Sequence, residues 1–325
     1  MTASTVRGMR SLSGRDPEGY RQHPLHGDAR SYAETNCYTD IIIELLHACG
    51  YEPLAAFASL VRMDFEGDQF TFFKPPPEDM ETLFGIDIHE MQPYRPLPDQ
   101  IAEQIERGRT IIVELDSWYL PDTASTSYRT EHVKTSVAAD AIDTAAETLR
   151  YFHSAGLFEL RDEDYRAVFR LTDGFSADVL PPYAELVRFD AGPGLEGEDL
   201  RAASLELLRH HLNLRPRENP FERFGAQLSE DLEELLQGDL ESYHRYVFPT
   251  VRMAGAGFEI AASYAEWLFG ADAAQAAGAL HDIVDGCKAL GFRLARRRRF
   301  DPEPAITGLG DAWSVAIDAL EANAG

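Results

Sequence analysis

The chain has 325 residues, 44% of them hydrophobic and 10% aromatic, which is enough for one large or two ordinary domains with a full core. Its formal net charge of -25 argues against binding of nucleic acid, because phosphates would be repelled. No apolar stretch approaches the roughly 20 residues of a membrane helix, so we expect no membrane partner. The three cysteines form no disulfide framework and no CxxC pair, which favours a reducing cytoplasm and argues against structural zinc.

The predicted elements change in kind near residue 160. Residues 1–22 are polar and lack the apolar centre of a signal peptide, which predicts a flexible leader. Residues 23–160 alternate between helical and strand-like patterns, with the clearest strands at 110–116 and 132–138. Residues 161–325 have helical periodicity almost throughout. We therefore predict an α+β fold, in which a helix leads into a mostly antiparallel sheet and an all-α bundle follows.

Cys37 directly precedes an apolar helical run that Gly50 ends. If the helix begins near residue 38, Cys37 lies in its cap region, where free backbone N–H groups and the positive end of the dipole favour a thiolate. The same N–H groups can stabilise an oxyanion, and the amide of Asn36 can donate one more hydrogen bond. Cys49 lies at the opposite end of the helix, so we interpret it as a packing residue.

A thiol nucleophile needs a base and a group that orients the base. His132 opens the second clear strand and Asp116 ends the first. If the two strands are antiparallel neighbours, both residues lie at the same end of the sheet, and Asp116 can fix the tautomer of His132. Asp140 shares the strand face of His132 but is eight residues away, roughly 26 Å along a strand. The pattern predicts a triad of Cys37, His132 and Asp116.

A metal site is the rival interpretation. Glu241 and His244 have the E-x-x-H spacing that places two ligands on one face of a helix in di-iron bundles. Such a site needs a second E-x-x-H and two further carboxylates, and the bundle segments offer no second copy of the motif. We therefore predict no bound metal.

A local basic cluster contrasts with the acidic chain. Five of its 30 basic residues lie between Arg293 and Arg299. Arginines at the end of a helix suit the helix dipole, and this is one interpretation of the cluster. The other is a docking surface for an acidic partner, formed by Arg296, Arg297, Arg298 and Arg299.

Four stretches resemble a known bacterial family, domain of unknown function 1839 (DUF1839). They are ETNCYTD at 34–40, DFEGDQFTFFKPP at 64–76, LDSWYLPDT at 115–123 and YRTEHVKT at 128–135. More distantly, the order Cys, then Asp-x-x-Tyr-Leu-Pro, then Tyr-x-x-x-His is similar to the butirosin-type acyltransferases. Those enzymes have a papain-like fold and move an aminoacyl group from a carrier-protein thioester to an amine.

The resemblance implies a papain-like catalytic domain at 23–160, followed by a helical domain at 161–325. It implies catalytic roles for Cys37 and His132, and a substrate pocket that includes Tyr119 and Tyr128 beside Asn36. Butirosin-type members often carry a second histidine three residues after the first, where this chain has Thr135. Papain-like enzymes usually take their third member after the histidine, so the role of Asp116 stays open.

The expected function is cysteine-dependent transfer of an aminoacyl group from a carrier-protein phosphopantetheine thioester to an amine. The carrier protein and a small-molecule or amino-acid amine are the expected partners, the arginine cluster docks the carrier protein, and no cofactor is bound. Two alternatives remain open. One is a cysteine amidase or thioesterase, in which water replaces the amine, and the other is a non-catalytic carrier-protein adaptor in which Cys37 is structural.

Overall fold

The computed structural model describes residues 4–6, 9–172 and 179–325, with the backbone alone described for 4–6. The described residues form two compact units. The sheet unit comprises the residues up to Pro24 together with Cys37–Pro53 and Pro77–Leu195. The helical unit comprises Leu25–Asn36, Leu54–Pro76 and Glu196–Gly325. Across the described chain, no helix has both the length and the apolarity needed to cross a membrane.

The sheet unit is built on eight strands, and every pairing among the described strands is antiparallel. The strands are β1 (Ser4–Val6), β2 (Met9–Ser11), β3 (Asp87–Met91), β4 (Thr110–Asp116), β5 (Lys134–Asp143), β6 (Thr148–His153), β7 (Gly156–Arg161) and β8 (Ala184–Arg188). Their order is β1-β2-β5-β4-β8-β3, with β6 paired to β5 and β7 paired to β6. The expected α+β class and antiparallel sheet are confirmed.

Four helices accompany the sheet. They are α1 (Cys37–Ala48), α2 (Pro77–Phe84), α3 (Leu97–Glu106) and α4 (Asp162–Val168). The first of these, α1, packs on β5 and β6, and its apolar side chains are buried on nearly every side. It ends at Gly50, whose φ of 85° is accessible to glycine at little cost, and the N–H of Tyr51 then closes the last turn on the carbonyl of Leu46.

The helical unit contains six further helices among its described residues. They are α5 (Gly197–Leu212), α6 (Pro220–Gln237), α7 (Leu240–Val247), α8 (Met253–Phe269), α9 (Ala274–Ala295) and α10 (Glu303–Ala324). Helix α9 packs on both α8 and α10, so these three form the centre of the bundle. Asn219 caps α6 by accepting the N–H of Phe221, with Pro220 in the first turn where no N–H is needed.

The structure differs from the sequence predictions in three places. Strand β8 lies within the segment 161–325 that we assigned to helices, because its five residues pair between β4 and β3 and are too few to give a clear period. Strand β2, within the predicted leader 1–22, pairs with β5 and buries Ser11. Residues 1–3 and 7–8 of that leader lie outside the described residues. The helical periodicity predicted for 161–325 is interrupted by a π-turn at Phe248–Arg252, because Pro249 has no N–H to donate.

Candidate active site

Cys37 is the first residue of α1, and its side chain is only partly buried. Cys37 therefore lies at the N-terminal, positive end of the α1 dipole. The thiol donates a weak hydrogen bond across to the sheet, with 3.7 Å between Cys37 Sγ and Ser136 Oγ. Ser136 is buried in β5, so the start of α1 is attached to the centre of the sheet.

His132 and Asp116 form a direct hydrogen bond of 2.6 Å between Nδ1 and Oδ2. The other oxygen of Asp116 accepts the backbone N–H of Trp118 at 3.0 Å, which fixes the carboxylate at the end of β4. The indole of Trp118 stacks on the imidazole, with 4.5 Å between ring centroids and 11° between planes. The carboxylate and the indole together hold the ring with Nδ1 towards Asp116, so Nε2 is the nitrogen that can exchange a proton with a ligand.

The strand register places the pair on the same sheet face as the thiol. Glu114 is paired with Ser136 and Asp116 with Lys134, and directly paired residues project to one face. The hydrogen bond to Ser136 places the Cys37 thiol against that face. His132 precedes Ser136 by four residues, which is about 13 Å along a strand. Among the described residues, Cys37 hydrogen-bonds to Ser136 and not to His132.

Two tyrosines and an arginine border His132. The ring of Tyr119 is edge-on to the imidazole at 6.4 Å. The hydroxyl of Tyr128 donates to Asp164 at 2.9 Å, and the Arg129 guanidinium also pairs with Asp164 while lying over both tyrosine rings. The predicted pocket residues of the sheet unit therefore form a connected aromatic and charged rim next to His132.

The remaining predicted site residues lie in the helical unit. The side-chain amide of Asn36 is buried and donates to the carbonyl of Phe73 at 3.0 Å, so it supports the local backbone. Arg296–Arg299 are all exposed at and just beyond the end of α9. Arg297 donates to the carbonyl of Gly238 at 2.8 Å, and Arg299 pairs with Glu233 at 3.1 Å.

A second histidine–carboxylate pair lies inside the sheet unit, and the sequence reasoning missed it. His153 Nδ1 pairs with Asp122 Oδ2, and Asp122 also accepts the hydroxyl of Tyr151. The other imidazole nitrogen lies 2.8 Å from the hydroxyl of Thr135. His153 and Thr135 are buried, and the Asp122 carboxylate is almost fully enclosed. The sequence signals were Asp122 and Thr135, within the family-like stretches at 115–123 and 128–135.

The other two cysteines are poor nucleophiles. Burial raises the pKa of the Cys49 thiol to about 12, with the Asp140 carboxylate adding to the effect. Burial also raises the pKa of the Cys287 thiol well above its ordinary value. Both thiols therefore remain protonated at neutral pH, and only a thiolate attacks efficiently.

Within the described residues, no group of three or more histidine, cysteine, aspartate or glutamate side chains is arranged to hold a metal ion. Glu241, from the E-x-x-H pair considered above, instead lies 3.9 Å from Arg245 on the surface of α7. Its partner in that pair, His244, packs edge-on against Tyr243.

Two comparisons with known proteins bear on identity. A search of curated proteins finds no match to this chain. Residues 21–189 match the model of the DUF1839 N-terminal domain, and residues 197–322 match that of the DUF1839 C-terminal domain. The N-terminal match ends just after β8, so it contains strands β3 to β8. Because the two matches cover most of the chain, the protein belongs to the DUF1839 family.

Proposed function

We propose that the protein is a cysteine-dependent acyltransferase with a papain-like catalytic arrangement, in which Cys37 is the nucleophile and His132, oriented by Asp116, transfers protons. The observation that carries the proposal is that Cys37 begins α1 on the same sheet face as the Asp116–His132 pair. A thiol at a helix N-terminus and an imidazole held by a carboxylate are the two parts that thiol acyl transfer requires.

The first half-reaction forms an acyl-enzyme. The Cys37 thiolate attacks the carbonyl carbon of a thioester, so that a new carbon–sulfur bond forms and the carbonyl electron pair moves to oxygen. The positive end of the α1 dipole, where Cys37 lies, stabilises that oxyanion. The oxyanion collapses, the original carbon–sulfur bond breaks, and the leaving thiolate takes the proton that His132 holds.

The second half-reaction transfers the acyl group. An amine attacks the acyl-enzyme while Nε2 of His132 accepts its proton, and collapse of the intermediate forms an amide and releases the Cys37 thiolate. Asp116 stabilises the imidazolium that forms and keeps Nδ1 protonated. The Asn36 amide already donates to the carbonyl of Phe73, so the dipole of α1, rather than Asn36, is the proposed stabiliser of the oxyanion. Tyr119 and Tyr128 border the space beside His132 into which the acceptor would enter.

We propose an aminoacyl carrier protein as the donor, following the distant similarity to butirosin-type acyltransferases. Its phosphopantetheine arm can bring a thioester to Cys37 without any cofactor bound to this chain, and both would be cytoplasmic. The exposed Arg296–Arg299 cluster is the proposed docking surface for the acidic carrier protein. A small molecule or amino acid supplies the amine.

Two other functions each have an observation in their favour. The imidazole of His132 is 64% exposed, which gives water access and favours hydrolysis by an amidase or thioesterase. The hydrogen bond of Cys37 to Ser136, with His132 elsewhere on the sheet face, favours a non-catalytic adaptor in which the thiol is structural.

The test is intact-protein mass spectrometry after incubation with aminoacyl carrier proteins. We expect a mass increase equal to the aminoacyl group in the wild type and in Cys49→Ala, and none in Cys37→Ala. Subsequent addition of amines should release the group as an amide, whereas release as a free acid without amine would indicate a hydrolase. Absence of an adduct in the wild type, across a panel of aminoacyl groups, would leave the adaptor as the better explanation.

A further inference from the structure

The helical unit contains a largely apolar cavity of about 440 Å³ that the proposed reaction does not use. This is within the range of cavities that bind small molecules. Four tyrosine and phenylalanine rings line it, those of Tyr32, Tyr243, Phe248 and Phe292, together with Val247, Val251 and the buried Cys287. Phe248 and Phe292 are otherwise exposed, at 46% and 61%, so two large apolar side chains project at the mouth of the cavity.

The local backbone holds the cavity open. Pro249 interrupts the helical ladder, and the resulting π-turn of Phe248–Arg252 supplies three of the lining residues. Such π-turns are frequent at functional sites. On the opposite helix, Gly291 has no side chain to fill the space, and a Cβ there would meet only Val251, at 4.0 Å.

A third wall is fixed by a buried carboxylate. Glu259 accepts the backbone N–H groups of Ser31 and Tyr32, at 2.7 and 2.8 Å. The ring of Tyr32 then lies against α8 where Gly255 leaves room, since a Cβ at Gly255 would come within 2.6 Å of it. Both Ser31 and Tyr32 line the cavity, so this wall is preorganised rather than dependent on a ligand.

Two cationic side chains and one histidine line the cavity. Arg252, Lys288 and His244 all line it, in a chain whose net charge is -25. Among the described residues, none of these three forms an ion pair with a carboxylate. Arg252 donates instead to the carbonyls of Thr35 and Glu34 at 2.8 and 2.9 Å and lies over the ring of Phe248. Its charge is therefore held at the cavity without being neutralised.

From these observations we propose that the cavity is a binding site for a small anion with a flat apolar body, such as an aromatic carboxylate. The ring occupies the space between Phe248, Phe292 and Tyr243. The carboxylate lies towards Lys288 and Arg252, where a charge-assisted hydrogen bond is available. This site is separate from the thiol chemistry and does not depend on it.

Three probes of nearly equal shape test the charge requirement by isothermal titration calorimetry on the full chain. They are 1-naphthaleneacetate, its neutral amide and the cationic 1-naphthylmethylamine. We expect the carboxylate to bind at least about tenfold more tightly than the amide and the amine to bind most weakly. Lys288→Glu should remove most of the preference for the carboxylate over the amide. Equal affinity for all three probes, or no binding of the carboxylate, would overturn the proposal.

Two leucine substitutions on α9 test the location. Gly291→Leu places a side chain in the cavity and should abolish binding of the carboxylate. Gly278→Leu is the matched control, because Gly278 is exposed on the same helix and a Cβ there meets nothing within 4 Å. Both changes replace a helical glycine with a better helix former, so neither should unfold the protein. The proposal fails if the two variants bind the carboxylate with equal affinity.

Discussion

The sheet unit contains two histidine–carboxylate pairs of the same chemistry in opposite environments. In the first, the His132 and Asp116 side chains are 64% and 37% exposed. In the second, those of His153 and Asp122 are 7% and 4% exposed. Each imidazole presents Nδ1 to an aspartate, so hydrogen bonding alone does not distinguish a catalytic pair from a structural one. The distinction lies in what the second nitrogen can reach.

The buried pair is closed on every side that the structure describes. Thr135 occupies the second nitrogen of His153, and Tyr151 occupies the other oxygen of Asp122. Burial, with the Asp122 carboxylate adding to it, raises the pKa of Tyr151 well above its ordinary value, so its hydroxyl remains a donor. This cluster links the turn at Pro121–Thr123 to β5 and β6, and thereby supports the backbone that carries Asp116 and His132. We interpret it as structural support for the exposed pair.

The largest expected effect is on turnover. Cys37→Ala should abolish acyl transfer, and His132→Ala should lower kcat by about 10²- to 10⁴-fold. The double variant should be no worse than Cys37→Ala, because the residues act as a unit. Asp116→Asn should cost less than His132→Ala if Asp116 only orients the ring. Steady-state kinetics with a thioester donor measures the activity of all four variants. Full activity of His132→Ala would exclude the arrangement of Cys37, His132 and Asp116 as a catalytic unit.

Substitutions in the buried pair should mainly change the free energy of unfolding, and those in the exposed pair should not. His153→Ala leaves the Asp122 carboxylate buried without its partner, and should lower the free energy of unfolding by about 3 kcal/mol. His132→Ala is the matched control and should change it by less than about 1 kcal/mol, because exposed pairs contribute little. Urea denaturation followed by circular dichroism measures both. Similar losses in the two variants would remove the distinction between the pairs.

The same contrast between exposed and buried groups applies to the cysteines. In the native protein at pH 8, Cys37 should react with iodoacetamide at least about tenfold faster than Cys49 or Cys287. Burial raises the pKa of both of these thiols, to about 12 for Cys49, so neither supplies much thiolate. Peptide mass spectrometry of timed samples gives the three rates, and a urea-unfolded sample should equalise them. Equal native rates would contradict the assignment of Cys37 as the nucleophile.

The sequence led to the exposed pair because local rules suffice for it. A clear strand ending at Asp116, a connecting loop and a strand opening near His132 form a hairpin, and antiparallel pairing brings together the two strand ends that flank the loop. The start of α1 at Cys37 likewise follows from a polar-to-apolar transition. The buried pair depends on Asp122 and His153, which are 31 residues apart, and on a β5–β6 register that no short motif specifies. Strand β8 was missed because its five residues are too few to show a clear period.

A smaller effect concerns a buried carboxylate, for comparison with the exposed Asp116. Burial raises the pKa of Asp140, against the hydrogen bonds from Ser11 and Ser13. The folded state therefore holds this proton more tightly than the unfolded state. The contribution of Asp140 to stability must fall as pH rises from its ordinary pKa through the raised one.

Asp140→Asn removes this titration and should flatten the change in unfolding free energy between pH 4 and pH 7, relative to the wild type. Urea denaturation at several pH values measures it. Asp116→Asn serves as the exposed control and should leave the wild-type profile nearly unchanged. If the unfolding free energy of Asp140→Asn changes with pH as in the wild type, groups other than Asp140 dominate that change at acidic pH.

The smallest expected effect concerns the exposed arginines, whose charges act at a distance. A carrier protein is typically acidic near its phosphopantetheine, so a protein with a net charge of -25 would repel it without a local basic surface. Arg297 and Arg299 are already engaged with Gly238 and Glu233, which leaves Arg296 and Arg298 as the better positions to reverse. Replacing both by glutamate should raise KM for a carrier-bound donor about fivefold at low salt.

The conditions of that assay decide between docking and folding. Exposed charges are screened beyond about 10 Å at 0.1 M salt, so the rise in KM should shrink as salt increases. Transfer from a small pantetheine thioester should be unaffected, because it has no acidic body to attract. Equal loss on both donors would mean that the arginines support the fold of α9. No loss on the carrier-bound donor would place docking on another surface.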